Sequence, residues 1–314
     1  MKIVFFGTPD FACTVLESLI NSKHQVVAVV TGEDKKVGRK QILTEPEVKA
    51  FAKKNNIKVF QFHKIKKEGY EILKNLNADI FVTCAYGQIL SEEIINASKY
   101  GTINIHFSLL PKYRGACPVQ AALLCGEEST GVTIMRTDVG IDTGDIIVQE
   151  SVKIDKEDNT FTLLNKLALI GSKLVLDVLE SFEQGNVKFV KQKDEFPYFS
   201  MIKKEDGLID FSKTSSEIFN MIRAYYMWPN AYCKLNGKVL KIFKSEVCNF
   251  ESDLSFKVGE IVFVDKQNII VCCGNNTFLK LIELQLEGSK RLLCKDFLNG
   301  NKNLLGTVLN GNFA

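Results

Sequence analysis

Histidine, tryptophan and proline are scarce in this chain, numbering three, one and six among 314 residues. Long hydrophobic runs are missing altogether. A bilayer needs about 20 consecutive apolar residues, so no transmembrane helix is expected. The opening Met1-Lys2-Ile3-Val4-Phe5-Phe6-Gly7 has a short apolar run with no small-residue cleavage site behind it, which argues against a signal peptide and predicts a cytoplasmic protein. Nine cysteines are present but none forms a C-x-x-C pair, and Cys272 and Cys273 are adjacent, a poor geometry for joint chelation. No metal site is predicted, and the thiols read as reduced, mostly buried small hydrophobes. Glycine is thin where it would matter for a nucleotide. The turn Gly7-Thr8-Pro9-Asp10-Phe11-Ala12 follows a strand but lacks the second and third glycines that let a backbone approach a pyrophosphate. A dinucleotide cofactor is excluded on that ground, and a dehydrogenase with it. Pro9 suits a first helical turn, with Thr8 as the expected cap.

What is there is ordinary globular material, 46% hydrophobic and 25% charged, enough for two domains. Net charge is only +3. Its distribution is uneven. Residues 31–71 carry eleven basic side chains against six acidic ones, a surplus of five that exceeds that of the whole chain. Such an excess attracts polyanions or simply solvates a helix face.

The first half alternates short apolar runs (3–6, 25–30, 59–60, 80–84, 102–105) with helical spacing, clearest at Phe11, Val15, Leu16, Leu19 and Ile20. Strands separated by helices predict an α/β fold with a doubly wound, mainly parallel sheet, whose ligands sit beyond the strands' carboxyl ends. A long helix is predicted over 160–182, ended by Gly185 and Asn186. Beyond an irregular linker the texture turns to β. Runs at 231–235, 239–243, 259–264, 269–273 and 278–286 are separated by turn signals such as Asn236-Gly237 and Glu287-Gly288. Five strands in about a hundred residues predict a small OB-like β-barrel, a fold that presents nucleic-acid surfaces. The expected domains are 1–186 (catalytic), 187–204 (linker) and 205–314 (OB-like).

The chemistry concentrates in two stretches. In Gly101-Thr-Ile-Asn104-Ile-His106-Phe-Ser108-Leu109-Leu110-Pro111-Lys-Tyr-Arg114-Gly115-Ala-Cys-Pro118, Asn104 and His106 are two apart on a strand, so both face the same side. A lone histidine is more often structural. Pairing with an amide before a Pro- and Gly-rich loop leaves the structural and functional readings level. In Gly131-Val-Thr-Ile-Met135-Arg-Thr-Asp138-Val-Gly140-Ile-Asp142-Thr-Gly144-Asp145, a strand enters a loop with three acids. That loop is either plain turns or the carrier of a carboxylate to a neighbouring strand's end.

Taken together, the motifs Asn104-x-His106-x-Ser108-Leu109-Leu110-Pro111-x-x-Arg114-Gly115-x-x-Pro118 and Gly131-Val132-Thr133-Ile134-Met135-x-x-Asp138-x-Gly140-x-Asp142-Thr143-Gly144-Asp145 resemble those of the folate-dependent formyltransferases. The likeness runs through Gly7-Thr8-Pro9-Asp10-Phe11-Ala12, Ala85-Tyr86-Gly87, Ile222-Arg223-Ala224 and Trp228-Pro229, so it covers essentially the whole chain. It implies a Rossmann-like formyltransferase domain with a catalytic Asn104, His106 and Asp142. It also implies 10-formyltetrahydrofolate as co-substrate, contacted along Ser108, Leu109, Leu110 and Pro111. The family commonly has glycine or proline at position 107, where this chain has Phe107; that side chain is expected on the opposite sheet face.

The acceptor implied is the α-amino group of a charged initiator tRNA, methionyl-tRNA. The 31–46 stretch matches in place and length the family loop that engages an acceptor stem, with Lys35, Lys36, Arg39 and Lys40 as phosphate-binding candidates. The competing acceptor is a small amine such as an amino sugar nucleotide, which needs no basic loop. A catalytically silent RNA-binding protein is the remaining class, opposed by the intact Asn104, His106 and Asp142 set. A monomer is expected.

Overall fold

The computed structural model describes residues 1–38, 40–193 and 198–310. The chain divides into two compact units. The first comprises Met1–Pro118, Ser129–Lys153 and Leu163–Ser200; the second comprises Val119–Glu128, Ile154–Thr162 and Met201–Ala314. Two short stretches from the first half thus fold with the C-terminal part. Bonds hold the Ile154–Thr162 stretch there: the Thr160 hydroxyl donates to the Ala224 carbonyl at 2.5 Å, and Lys244 pairs with Glu157 at 2.6 Å.

The first unit is built on seven strands: β1 (Lys2–Gly7), β2 (Gln25–Thr31), β5 (Val59–Gln61), β6 (Ile80–Cys84), β7 (Thr102–His106), β8 (Ser129–Arg136) and β9 (Ile146–Lys153). Strands β3 (Lys35–Val37) and β4 (Ile42–Thr44) form a separate hairpin. The sheet order is β5-β2-β1-β6-β7-β8-β9. It is parallel from β5 to β7, and β8 and β9 add antiparallel. Parallel strands must be covered on both faces, and Ile3, Val4, Phe5, Phe6 and all of β6 are buried accordingly.

The helices up to residue 184 are α1 (Asp10–Ile20), α2 (Glu47–Lys54), α3 (Ile65–Glu68), α4 (Tyr70–Lys74), α5 (Glu92–Ile95), α6 (Pro118–Leu124) and α7 (Thr160–Gln184), of which α6 after Pro118 and the first turn of α7 belong to the second unit. Helix α1 buries Ala12, Val15, Leu16 and Leu19, one face of a 3.6-residue period. Its N-cap is Pro9, and the side chain of Thr8 does not cap it. Thr8 instead donates to the Tyr86 carbonyl at 2.8 Å and accepts the Gly32 N–H at 3.2 Å. It ties together the loops that leave three neighbouring strands. Helix α7 lies close to the sheet because residue 171 is glycine: a Cβ there would stand 2.8 Å from Ile105 Cγ2.

The second unit contains α8 (Ser215–Ala224), closed at its start by a Thr214/Glu217 capping box. Strands β10 (Ala231–Leu235), β11 (Lys238–Cys248), β12 (Ile261–Val264), β13 (Ile269–Cys273), β14 (Thr277–Leu286) and β15 (Leu292–Leu293) precede α9 (Cys294–Gly300). The sheet is antiparallel, ordered β10-β11-β14-β13-β12, with β15 beside β14. Asn236 and Gly237 join β10 to β11 with φ of 49° and 79°, the left-handed pair that a two-residue hairpin demands. Residues 306–310 bridge the sheet's two edges. They bond to Gly259 and Ile261 on one side and to Lys234 on the other, giving barrel-like closure. Among the cysteines, Cys84, Cys233, Cys272, Cys273 and Cys294 are buried. Burial pushes the Cys84 and Cys273 thiols up to about 12.

Candidate active site

Strand β7 lies between parallel β6 and antiparallel β8, near the middle of the sheet. The period of two sends Ile105 and Phe107 to one side and Asn104 and His106 to the other. Phe107 packs on Phe11, ring centroids 5.5 Å apart, and near the space above Gly171. It is therefore on the helix-covered face, away from the candidate site, as expected. His106 ends the strand.

Asn104 is oriented by Thr83 across the β6–β7 pair. The Thr83 hydroxyl lies 2.7 Å from Asn104 Oδ1 and 3.2 Å from the Ile103 carbonyl. With its oxygen engaged, the amide turns its NH2 outward, and Nδ2 reaches Asp142 Oδ1 at 3.4 Å, a long contact. The other carboxylate oxygen accepts the Gly115 N–H at 2.8 Å and stands 3.6 Å from His106 Nδ1. That last separation is one of an ion pair, not of a hydrogen bond. The second ring nitrogen, Nε2, contacts the Tyr113 carbonyl at 3.0 Å. A carbonyl only accepts, so Nε2 carries the hydrogen in this arrangement.

The three predicted residues do converge. The side chains of His106 and Asp142 are 6% and 15% exposed, so water screens their interaction little. The geometry differs from expectation in one respect: both imidazole nitrogens face groups of the protein itself, and only the Asn104 amide has a hydrogen to spare. Reaching this arrangement requires left-handed backbone at Tyr113 (φ 60°), Gly115 (φ 110°) and Asp142 (φ 54°). Aspartate tolerates that region better than most residues.

Sequence reasoning missed Gln192, which it left within the linker. The carboxamide of Gln192 donates to the main-chain carbonyls of Asp142 (2.9 Å) and Gly144 (2.8 Å). Its oxygen accepts from Arg114 Nε and Nη2 at 3.0 and 2.7 Å. One side chain thus joins the loop carrying Asp142 to the loop carrying Gly115. No local signal marks it, because its role depends on where the chain returns after α7.

The 108–111 segment is held from beneath. Thr133 Oγ1 donates to the Ser108 carbonyl (2.6 Å) and accepts the Leu110 N–H (3.1 Å), while Gln149 donates to the Leu110 carbonyl (2.9 Å). Ser108 and Leu110 are buried, and the Ser108 hydroxyl is committed to the Lys112 carbonyl at 2.6 Å. Leu109 and Pro111 keep partly exposed surface.

The basic 31–46 stretch is a hairpin where a loop was expected. Lys35 pairs with Thr44, Lys36 with Leu43 and Val37 with Ile42. Lys35, Lys36 and Lys40 are exposed, and Arg39 lies outside the described residues. Val37, Ile42 and Leu43 are 55–66% exposed, an apolar surface beside the lysines. At the hairpin's base, Lys49 Nζ holds Asp34 at 2.7 Å and Glu45 at 3.3 Å. Lys49 holds the Asp34 carboxyl below its ordinary range, with Gln61 assisting, and Asp34 in turn raises Lys49.

What such a set can do is limited by its types: steady a carbonyl oxygen, and take up a proton released beside it. Those are the needs of acyl-type transfer to nitrogen, and an enzyme of that class is what this sheet and this site define. The comparisons narrow it. The chain belongs to the formyl transferase family, residues 1–179 matching the formyl transferase domain and residues 201–302 the family's C-terminal domain. It is 42% identical to a methionyl-tRNA formyltransferase of Caldicellulosiruptor saccharolyticus, covering 98% of this chain and 100% of that protein. It is 42% identical to one of Geobacter metallireducens, covering 96% of each. Among solved structures it is similar to WlaRD, a sugar 3N-formyl transferase seen with dTDP and 5-N-formyl-THF. That match has a TM-score of 0.66 and 27% identity, and covers 92% of this chain and 99% of the other.

Proposed function

We propose that this protein transfers the formyl group of 10-formyltetrahydrofolate to the free α-amino group of methionyl-tRNA, the charged initiator tRNA, in the cytoplasm and as a monomer. The observation that carries the reading is the convergence of Asn104, His106 and Asp142 at the carboxyl end of β7, in a chain that matches methionyl-tRNA formyltransferases end to end.

In this reading the neutral amine attacks the formyl carbon, a new C–N bond forms, and negative charge collects on oxygen. The Asn104 Nδ2 hydrogen meets that oxygen. His106 Nε2 exchanges the Tyr113 carbonyl for it, with the Asp142 carboxylate 3.6 Å from Nδ1 on the other side of the ring. As the bond to N10 breaks, the proton lost by the amine passes through Asp142 and water to N10. Each oxyanion donor contributes about 10²–10³ in rate. Contact with the folate runs along Ser108, Leu109, Leu110 and Pro111, of which Leu109 and Pro111 keep exposed surface. The lysines of the β3–β4 hairpin, with Arg39, take phosphates of the acceptor stem, and residues 205–314 supply a second RNA surface.

The competing acceptor is a small amine such as an amino sugar nucleotide, favoured by the likeness to WlaRD. One assay separates them: labelled formyl-folate offered with charged initiator tRNA, charged elongator tRNA and an amino sugar nucleotide. Formyl-methionyl-tRNA is the expected product. Label appearing only on the sugar overturns the assignment.

A further inference from the structure

The second unit contains a cleft of about 130 Å³ that the proposed chemistry does not use. It lies where residues 156–159 meet α8 and β11. Phe243 and Tyr226 meet edge to face within its lining, centroids 6.4 Å apart at 84°. The Arg291 guanidinium lies over both rings, 4.2 Å from Phe243 and 5.1 Å from Tyr226. Its terminal nitrogens are held by the Tyr226 hydroxyl and by Glu283. Arg223, half-buried and lying over Phe219, also lines the cleft.

Two polar atoms here have no counterpart. Ser245, 4% exposed, has a buried hydroxyl with no hydrogen-bond partner among the described residues, and Arg291 Nε–H is in the same position. Both residues line the cleft. Burying such groups unmet costs about 1–3 kcal/mol each, a cost that a bound ligand with matching donor and acceptor atoms removes. The walls also specify what the ligand is. Glu157, Asp158 and Glu283 stand among the lining residues, which disfavours an enclosed phosphate. A neutral planar group with a mixed hydrogen-bonding edge suits the aromatic and guanidinium faces. Lys156 and Lys244, exposed at the cleft, suit a phosphate left outside.

We infer that this cleft receives one unstacked nucleotide of the RNA substrate, its base against Phe243 and Arg291 and its edge on the Ser245 hydroxyl. The assignment rests on the proposed tRNA substrate. Proteins that read RNA commonly do so by seating splayed bases on aromatic and arginine planes.

The test is steady-state formylation of charged initiator tRNA by the full chain and by Phe243→Leu and Ser245→Ala, with melting temperatures as the folding control. Base stacking on an aromatic is worth about 1–3 kcal/mol, so Phe243→Leu should raise the KM for charged tRNA about tenfold while kcat holds. Ser245→Ala removes only an unpaired hydroxyl and folds normally, and should raise KM about fivefold. Formylation with both KM values within about twofold of the parent overturns the pocket alone. A parent protein that formylates no charged tRNA overturns the functional reading, and the RNA assignment of the cleft with it. In a parallel arm, free nucleoside monophosphates are titrated into the full chain. Tight binding of one of these, lost in Phe243→Leu while tRNA kinetics stay unmoved, makes the cleft a free-nucleotide site and also overturns the proposal.

Discussion

Gln192 holds Asp142 by its main chain rather than by its carboxylate: the amide donates to the Asp142 carbonyl at 2.9 Å, leaving both side-chain oxygens for Gly115, Asn104 and His106. Removing the clamp should therefore shift the carboxylate without changing its chemistry. Displacements of about 1 Å cost up to about 100-fold in rate. Gln192→Ala is expected to lower kcat by about 10- to 100-fold, with KM for charged tRNA little changed. Gln192→Glu should behave similarly, since it keeps the acceptor for Arg114 but loses the donors to Asp142 and Gly144. Steady-state kinetics on folded variants check this, and an unchanged kcat would detach Gln192 from the site.

Asp142→Asn tests the carboxylate itself. Oδ2 accepts the Gly115 N–H at 2.8 Å. An asparagine must keep its oxygen there, which turns its NH2 toward the NH2 of Asn104. Two donors then face each other, and the charge beside His106 is gone. Loss of kcat by about 10²–10³ is expected, with tRNA affinity preserved because the basic hairpin is untouched. Wild-type turnover would remove the carboxylate from the mechanism.

The hairpin's attachment should depend on pH. Hydrogen bonds from Lys49 and Gln61 lower the Asp34 pKa from its ordinary 3.8, and Lys53 and Lys49 lower that of Glu45 from 4.5. A depressed acid contributes stability that is present above its unfolded pKa and is lost as pH falls through the folded value. Lys49, raised from 10.5 chiefly by Asp34, contributes stability that is lost as pH rises through its folded value. Amide protection in β3 and β4 should accordingly be level across neutral pH. It should fall below about pH 4 and again above about pH 10.5. Lys49→Met should abolish the alkaline edge, weaken the acid edge to what Lys53 and Gln61 still hold, and raise the KM for charged tRNA. Hydrogen exchange followed against pH checks the first point, and a profile identical in Lys49→Met would refute the ion pair's role.

The parallel core was legible because its apolar runs are short, alternate with helices and are buried on both faces, as at residues 3–6 and 80–84. The C-terminal strands announced themselves by turn chemistry, Asn236-Gly237 above all. Strand β9 was not legible. It opens on Ile146-Ile147-Val148, but that run is only three residues long, gives way to Gln149-Glu150-Ser151, and leaves no residue of the strand fully buried. The β3–β4 hairpin was invisible because every residue of its two strands is exposed, leaving no buried face to set a period. At the candidate site, Asn104, His106 and Asp142 stood out by type and motif. Thr83, Tyr113 and Gln192 did not, because a carbonyl or a distant amide acts through position, which only the folded chain supplies. Local sequence makes Thr8 a helix cap, whereas tertiary partners at Tyr86 and Gly32 take its hydroxyl.

Gly131 and Gly171 offer a paired test of whether the 108–111 segment depends on the sheet beneath it. A Cβ on Gly131 would stand 2.2 Å from the Glu150 carbonyl oxygen and 2.5 Å from Leu109 Cδ2. The carbonyl belongs to the β8–β9 pairing and has little room to retreat, so Leu109 must move as well. A Cβ on Gly171 meets only side chains, Ile105 Cγ2 at 2.8 Å being the nearest, on the opposite sheet face. Both alanine variants should lose stability, by about 1–3 kcal/mol for overpacking. Only Gly131→Ala should raise the KM for formyl-folate, because it alone displaces a residue assigned to that contact. Melting curves measure the first effect and folate-dependent kinetics the second. Equal KM values in the two variants would mean that Leu109 is not part of the folate site.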